Sequence, residues 1–476
     1  MPESNAAERL AAALAAEIDT LPAGTRLLPT RTLQQRYSVS PVTVQRALSL
    51  LNARGTVETR PGQGSYTRRP TAAGHGRVTG TGDLGWQAAA LAERPAGAED
   101  VERLIAVPPP GVLALTSSFP DRSLQPAGLL AAAAARAARR DSGWVRPDPA
   151  GVPELRELFA AELEHVVRAE AITVTPGGQA ALTVAFRALG RPGQPVLMES
   201  PTYLGALAAA RAAGLVAVPV PVDDDGVRPD LLRTAFARTR SSVFYCQPRH
   251  ANPTGATLAA SRRGDVLAAV ADARAFLIED DWVRDLDLDR PTPPPLLVAD
   301  PAGHIVHVRS LSKPVAAGLR IAGVAAAGPA AARIRQVAVS SALFVAPLLQ
   351  HTAVEVLTSA GWRRHLSGLC RALRERRDTL WAALARELPD LPAPPRPRGG
   401  LTAWLRLHDH LDETAVTAAL LARGVAVSPG RPFYPAEPDG PHLRLSYAAA
   451  PPHDLAAAVG QLALVLQQGR PPWRAG

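Results

Sequence analysis

The first 70 residues carry a repeating pattern of apolar and polar positions broken by turn signals. Apolar residues recur at helical spacing in three stretches, Ala6–Ile18, Thr30–Tyr37 and Pro41–Ala53, which predicts three helices. Ser40 and Pro41 are typical of a helix start. Two short strand patterns, Val57–Arg60 and Ser65–Arg68, flank a Pro-Gly-Gln-Gly run and predict a hairpin. Helices followed by a hairpin predict an α+β winged helix-turn-helix.

From about residue 111, apolar β-branched runs alternate with Ala/Leu-rich amphipathic runs. The predicted strands are Ala171–Thr175, Pro195–Glu199, Leu215–Val220, Ser242–Cys246, Phe276–Glu279, Ile305–Arg309 and Arg320–Ala326. Strands that alternate with helices are typical of an α/β domain whose mostly parallel sheet is covered by helices on both faces. A smaller α+β subdomain is predicted from about His365, with strands at Thr402–Leu407 and His442–Tyr447.

Between these two units, the sequence has Gly-rich and Pro-rich loop signals and no sustained periodicity, apart from one short helical pattern at Leu91–Ile105. A segment of this length is long for a loop inside a compact domain. The pattern therefore predicts a multidomain chain. Its parts are an N-terminal unit at residues 1–69, a linker at 70–110 and a large domain at 111–470.

Composition narrows the class of protein. A net charge of +9 favours a polyanionic partner, although the excess is spread along the chain. Two cysteines, Cys246 and Cys370, exclude a disulfide scaffold and fit a reducing compartment. The N-terminus lacks the pattern of a secretory signal, and the Ala-rich runs are too short to span a bilayer. We expect a soluble cytoplasmic protein with no membrane partner, and no metal site is predicted.

Lys313 is the only lysine in a chain that contains 52 lysines and arginines together. Arginine can replace lysine where only a positive charge is needed, but it cannot replace an amine that must lose its proton and attack a carbonyl carbon. Lys313 follows a predicted strand, with Ser310, Ser312 and Arg320 close to it in sequence. An amine, hydroxyls and a guanidinium suggest an aldehyde that carries a phosphate, and pyridoxal 5′-phosphate (PLP) fits this description.

Other candidate groups follow other strand ends, where open α/β sheets bind ligands. Gly177, Gly178 and Gln179 precede a predicted helix, whose N-terminus can bind a phosphate. Tyr203 either stacks on an aromatic ring or packs in the core. Asn252 can donate to a phenolate oxygen. Asp280 leaves a buried strand and needs a cationic partner, for which a protonated pyridine nitrogen is suited.

These motifs, in this order, resemble the fold-type I aminotransferases over residues 111–465. The resemblance implies that Lys313 forms the Schiff base with PLP, that Asp280 contacts the pyridine nitrogen, and that Arg444 binds a substrate carboxylate. The alternative for Arg444 is a surface arginine on an edge strand. Two residues depart from the family pattern. Trp282 replaces a tyrosine, so its indole either substitutes for the phenol or the contact is lost, and Arg146 replaces a tyrosine from the neighbouring subunit.

The N-terminal unit contains the runs Val39-Ser40-Pro-Val-Thr43-Val44 and Arg60-Pro-Gly62-Gln-Gly64-Ser-Tyr66. In these runs and their spacing it resembles the DNA-binding domain of the GntR family. The predicted DNA-binding residues are Arg31, Ser40, Thr43, Gln45, Arg46, Arg60 and Gly62. Thr43, Gln45 and Arg46 would face the major groove from the third helix, and Arg31 would contact phosphate. Arg60 and Gly62 belong to the wing. Pro41 stands where the family often has an arginine.

The two halves together resemble the MocR subfamily of transcriptional regulators. The resemblance implies a PLP-dependent regulator that binds double-stranded DNA as a homodimer. The long linker would allow the DNA reader of one chain, its residues 1–69, to pack on the large domain of the other chain. The effector would be PLP or its adduct with an amino compound. The controlled genes would serve vitamin B6 or amine and amino-acid metabolism. The alternative is a working aminotransferase with an accessory DNA-binding domain.

Overall fold

The computed structural model describes residues 3–18, 21–53, 55–60, 64–67, 85–90, 98–107 and 109–468. Its contacts divide the chain into two compact units, Met1–Ala92 and Glu93–Gly476. The finer bounds expected from the sequence, with a linker at 70–110, stay predictions.

The first unit has the predicted winged helix-turn-helix order. Its elements are α1 (Glu3–Ile18), α2 (Thr30–Tyr37), α3 (Pro41–Ala53), β1 (Val57–Arg60) and β2 (Gly64–Thr67). Leu10 and Leu14 lie one turn apart on α1 and pack with Leu33, Val44 and Leu51 into one core. The two strands pair antiparallel, and β2 begins one residue before the prediction. Arg68, the predicted end of that strand, lies outside the described residues.

The second unit contains the large sheet and the small subdomain. Along the chain, α4 (Gly85–Ala90) is the last helix of the first unit, and α5 (Ala98–Ile105) is the first helix of the second. The elements that follow are β3 (Leu113–Ala114), α6 (Ala127–Ala138), α7 (Pro153–Glu162), β4 (Ile172–Thr175), α8 (Gly178–Leu189), β5 (Pro195–Ser200), α9 (Leu204–Ala212), β6 (Val216–Asp223), β7 (Gly226–Val227), α10 (Pro229–Thr239), β8 (Val243–Cys246), α11 (Ala260–Asp272), β9 (Phe276–Asp281), β10 (Ile305–Ser310), β11 (Ala322–Ala325), α12 (Gly328–Ala342), α13 (Pro347–Leu357), α14 (Ala360–Glu387), β12 (Thr402–Arg406), α15 (Glu413–Ala422), β13 (Val425–Ala426), β14 (Ser428–Pro429), β15 (His442–Ser446) and α16 (Pro452–Gln468).

The large sheet has eight strands in the order β4-β11-β10-β9-β8-β5-β6-β7. Strands β10, β9, β8, β5 and β6 run parallel to one another. Strand β11 runs antiparallel to both β10 and β4, and β7 runs antiparallel to β6. The prediction of a mostly parallel sheet is confirmed. Because β4 has the same direction as β10, the carboxyl ends of β4, β8, β9 and β10 lie at one edge, together with the start of β11.

The small subdomain contains a three-stranded antiparallel sheet in the order β12-β15-β14. Strand β13 pairs with β3, so the chain just after α5 is joined to this part. The helix predicted at Leu91–Ile105 is described only over Ala98–Ile105, because residues 91–97 lie outside the described residues. The sequence did not predict α4. No helix in the described parts of the chain is long and apolar enough to cross a membrane.

Candidate functional site

A cavity of about 80 Å³ lies at the sheet edge where the strand ends meet. Its lining includes nine of the ten cofactor-binding residues predicted from the sequence, namely Gly178, Gln179, Tyr203, Asn252, Asp280, Ser310, Ser312, Lys313 and Arg320. The tenth, Gly177, lies against Arg320, since a Cβ atom at Gly177 would stand 2.5 Å from Arg320 Nη2. Residues more than 140 positions apart in the chain are thus brought to one point.

Lys313 presents its amine inside this cavity. Its Nζ lies 3.4 Å from the centroid of the Phe119 ring and 5.7 Å from that of Trp282. Burial, together with the guanidinium groups of Arg444 and Arg320, lowers the pKa of Lys313 to about 7. About half of an amine with this pKa is unprotonated near neutral pH, and the unprotonated form is the one that attacks a carbonyl carbon.

Asp280, the second-last residue of β9, has a fixed orientation. Tyr245 Oη donates to Asp280 Oδ2 at 2.8 Å, and Gln247 Nε2 donates to the same oxygen at 2.7 Å. Gln247 is itself held by Glu199, whose Oε2 accepts from the Gln247 backbone N–H. Burial raises the pKa of Asp280 to about 6, while the two hydrogen bonds oppose this shift. A buried carboxylate of this kind gains most from a cationic N–H partner.

The start of α8 forms an anion-binding cradle. Gly177 precedes the helix with φ +93°, a conformation that favours glycine. Arg320 Nη2 donates to the Pro176 carbonyl at 3.1 Å, so its guanidinium lies beside the helix N-terminus. Ser310 and Ser312 line the same end of the cavity. Free backbone N–H groups, hydroxyls and a guanidinium are the donors that bind a phosphate.

A hydrogen bond joins the side chains of Asn252 and Arg444, which are 192 residues apart in the sequence. Arg444 Nε donates to Asn252 Oδ1 at 2.9 Å, Nη1 donates to the Thr116 carbonyl at 3.0 Å, and Nη2 donates to Ser118 Oγ. Arg444 is fully buried, which excludes a surface arginine on an edge strand. Burial lowers the pKa of its guanidinium to about 10. With Oδ1 occupied, the Asn252 amide has its N–H donors for another acceptor.

Tyr203 and Trp282 form the walls of the cavity. Tyr203 Oη donates to Gln179 Oε1 at 3.1 Å, and Gln179 Nε2 donates to the Gly205 carbonyl at 2.8 Å. The Trp282 indole N–H donates to the His250 carbonyl at 3.2 Å. It is therefore engaged by the backbone and does not substitute for a phenol. Arg146 is exposed.

Sequence reasoning missed several residues of this site. Phe119 covers the Lys313 amine, while Tyr245 and Gln247 orient Asp280. Gln247 directly follows β8, so its position at a strand end was a usable signal. Phe119 comes from an irregular segment far from Lys313 in sequence, and the sequence pattern carries no signal for that contact.

The predicted DNA-binding residues of the two helices divide into side chains exposed to solvent and side chains that cap α3. Gln45 and Arg46 are exposed on α3, and Arg31 is exposed on α2. Thr43 is buried, because its hydroxyl shares a hydrogen bond with Ser40 Oγ at 2.8 Å and its N–H donates to the same oxygen. The structure thus places Ser40 and Thr43 in the helix cap.

In the wing, Arg60 lies beside an aromatic ring and a carboxylate. The Arg60 guanidinium lies 4.8 Å from the centroid of the Tyr66 ring, and it also pairs with Glu58. Arg26, which the sequence reasoning did not single out, forms an isolated β-bridge with Tyr66. Gly62, predicted at the wing tip, lies outside the described residues.

Known proteins resemble both parts of the chain. The family described as "Aminotransferase class I and II" matches residues 112–462, and the family "Bacterial regulatory proteins, gntR family" matches residues 6–66. The chain is 27% identical over 324 residues to "Uncharacterized HTH-type transcriptional regulator YdfD" of Bacillus subtilis, covering 67% of each chain. It is 32% identical over 362 residues to a 2-aminoadipate transaminase of Thermus thermophilus, covering 75% of this chain and 91% of that one.

The chain belongs to the MocR subfamily of GntR regulators. Its large domain is a class I and II aminotransferase domain. This MocR protein also resembles the crystal structure of LysN, an α-aminoadipate aminotransferase from Thermus thermophilus, with a TM-score of 0.72 and 29% identity over 78% of this chain and 97% of that one. The LysN structure is complexed with N-(5′-phosphopyridoxyl)-L-leucine. A gntR-type domain implies that the MocR protein binds DNA.

Proposed function

We propose that this chain is a transcription regulator that binds PLP at Lys313. Its affinity for DNA would depend on whether PLP, or PLP joined to an amino compound, occupies that site. One observation carries the proposal. The only lysine of the chain lies in a cavity with a buried carboxylate, an asparagine amide and an anion cradle, and the same chain carries a helix-turn-helix reader. An enzyme has no need of the reader, and a simple repressor has no need of the cavity.

The residues of the cavity fit PLP. The anion cradle at Gly178, Ser310, Ser312 and Arg320 suits the phosphate, and Asp280 suits a protonated pyridine nitrogen at the other end. Asn252 is placed to donate to the ring oxygen, and Tyr203 to cover the ring. When bound, PLP supplies an aldehyde that joins covalently to amines and an electron-withdrawing ring. Phe119 lies on the Lys313 amine, so its ring has to move aside for a ring-sized ligand.

Within this arrangement, the chain's own residues bind PLP, orient it and keep part of the attacking amine unprotonated. Burial lowers the pKa of the Lys313 amine, so that much more of it is in the nucleophilic, unprotonated form near neutral pH than for an exposed lysine. Tyr245 and Gln247 hold Asp280 in one orientation toward the cavity. Arg444 has five N–H groups, three of which are used by Asn252, Thr116 and Ser118. Among the described residues, two hydrogens are left for an incoming carboxylate, so the effector would be PLP itself or a small amino compound with a carboxylate.

The proposed regulator acts as a homodimer. The two DNA readers of one dimer bind two half-sites of the operator. If the dimer has two arrangements with different DNA affinity, a ligand that binds one of them more tightly shifts the DNA affinity by that difference. The linker is long enough for exchange of readers between subunits. Genes of vitamin B6 or of amine and amino-acid metabolism are the proposed targets.

A working aminotransferase is the second candidate function, and the intact donor set of the cavity favours it. A measurement of catalytic turnover distinguishes the two functions. We expect the PLP-loaded protein to consume at most about one equivalent of amino donor per site, without repeated cycles when a keto acid is supplied. Sustained turnover at the rates of typical enzymes, about 1–1,000 per second, would favour the enzyme.

The capture of PLP is expected to depend on pH through Lys313. Its pKa is lowered to about 7, so the fraction of neutral amine rises as pH increases and is nearly complete above pH 8. The rate of PLP capture by the apoprotein should therefore rise between about pH 5.5 and 8 and then level off. Stopped-flow absorbance measures it, with Nα-acetyl-lysine as the control for titration of PLP itself. A rate that keeps climbing toward pH 10 would show an ordinary lysine.

Replacing Arg320 by alanine is expected to weaken PLP binding selectively at the phosphate. Loss of a charge-assisted hydrogen bond costs about 1.5–3 kcal/mol, or about 10- to 150-fold in Kd. Pyridoxal, which lacks the phosphate, is the matched ligand and should bind the variant and the wild type alike. Equilibrium dialysis with both ligands measures the difference. Equal losses for the two ligands would mean that Arg320 supports the fold of the Gly177 turn and not the phosphate.

A further inference from the structure

A larger cavity, of about 600 Å³, lies in the second unit between α5, α15 and β14. Its volume falls in the range of about 300–1,000 Å³ that is usual for small-molecule sites. Much of the wall is apolar, with Leu104, Val107, Leu421, Val427 and Phe433 among its residues. Among the described residues that line it, none belongs to the predicted cofactor-binding set. The cavity is therefore separate from the one that contains Lys313.

The polar side chains that line this cavity are few, and all of them can donate hydrogen bonds. Arg103, on the last turn of α5, is the charged side chain among the described lining residues, which include no carboxylate. Ser428 is buried at the base, with 7% of its surface exposed, and Thr414 and Thr417 contribute hydroxyls from the first turns of α15. An apolar wall with a guanidinium at its edge matches an anion that has an apolar body.

Three lining residues also hold Arg444 in place. The Thr116 carbonyl accepts from Arg444 Nη1 at 3.0 Å. The Phe433 ring centroid lies 5.5 Å from Arg444 Cζ. Ser428 is the register partner of Arg444 in the β14–β15 pair. A molecule in the large cavity would therefore touch the residues that position the guanidinium of the cofactor site.

The opposite wall of the cavity belongs to the predicted linker. Helix α5 packs against α9, and the first residue of α9, Leu204, lines the cavity directly after Tyr203 in sequence. Val107, which lines the cavity two residues after the end of α5, has 93% of its surface exposed. An occupant would cover part of this apolar surface and fix the linker helix on the second unit.

We propose that this cavity is a second ligand site, for a small organic anion with an apolar body and one carboxylate or sulfonate group. Its occupant contacts both the linker helix and the supports of Arg444. Binding there adjusts the position of Arg444 and, through the linker, the connection to the DNA reader. The site does not depend on PLP chemistry, so it can be tested apart from the proposed function.

The test uses 1-anilinonaphthalene-8-sulfonate (ANS) as the probe and the full-length, PLP-saturated protein. Ala418 lines the cavity and Ala419 does not, although both are exposed on α15. We expect ANS fluorescence to saturate at one probe per chain. Ala418→Phe, which fills the cavity, should weaken this binding by about tenfold or more, whereas Ala419→Phe should leave it unchanged.

A second comparison tests the charge. Arg103→Gln is expected to weaken binding of ANS more than binding of its uncharged parent, N-phenyl-1-naphthylamine. The proposal is overturned if Ala418→Phe and Ala419→Phe bind ANS equally, if ANS binding does not saturate, or if PLP added to the apoprotein displaces ANS. Equal effects of Arg103→Gln on both probes would overturn the assignment of an anionic ligand.

Discussion

Replacing Lys313 by arginine is expected to abolish covalent attachment of PLP. The guanidinium stays protonated under all ordinary conditions and cannot attack an aldehyde, even though it keeps the positive charge. Wild-type protein mixed with PLP should become yellow, and borohydride should fix one PLP per chain on the peptide that contains Lys313. The variant should show neither the visible band nor the fixed label. Absorbance and peptide mass spectrometry measure both effects.

The chain offers a clean control for this experiment because it has no second lysine to compete. Arg139 is exposed next to the end of α6, so Arg139→Lys in the Lys313→Arg background adds an ordinary surface amine. That double variant should stay unlabelled at stoichiometric PLP, since its lysine lacks the cavity and the lowered pKa. Labelling of the single variant at the wild-type level would mean that the cofactor is held elsewhere.

Replacing Arg46 by alanine is expected to produce the largest loss of DNA binding. Arg46 is exposed on α3 beside Gln45, where an arginine can pair with guanine or hold a phosphate. Loss of a contact to a base edge costs about 1–3 kcal/mol, or about 5- to 150-fold in affinity. Fluorescence anisotropy with DNA from upstream of the protein's own gene, over a range of salt concentrations, measures the loss.

Arg9→Ala is the matched control, because Arg9 is an exposed arginine of the same unit on α1, outside the predicted DNA surface. It should change affinity by much less than Arg46→Ala. If Arg46 reads a base, the variant should also lose discrimination at one position of the site, whereas a phosphate contact would lower affinity uniformly and reduce the salt dependence. Equal losses for both variants would show that only net charge matters.

The elements that place the site could be predicted because strand ends leave a local signal. All seven strands predicted for the large sheet are present, and the site residues at the carboxyl ends of β4, β9 and β10 stand beside recognisable strand patterns in the sequence. Parallel strands bring their carboxyl ends to one edge. For that reason Gly178, Asp280 and Lys313 could be grouped from chemistry and order alone.

The contacts that tune the site could not be predicted, because they depend on side-chain orientation. The Trp282 indole donates to a backbone carbonyl, and the Phe119 ring lies on the Lys313 amine. Thr43 is directed into the cap of α3 by its hydrogen bond with Ser40. Helical spacing shows which residues share a face, but it does not show which of two hydroxyls a cap will use.

The central claim is that one chain joins PLP chemistry at Lys313 to DNA binding, and a single measurement tests it. Affinity for the upstream DNA is measured with and without saturating PLP, for the wild type and for Lys313→Arg. We expect PLP to shift the wild-type Kd by about fivefold or more and to leave the variant's Kd unchanged. Equal Kd values with and without PLP for the wild type, or the same shift in both proteins, would contradict it.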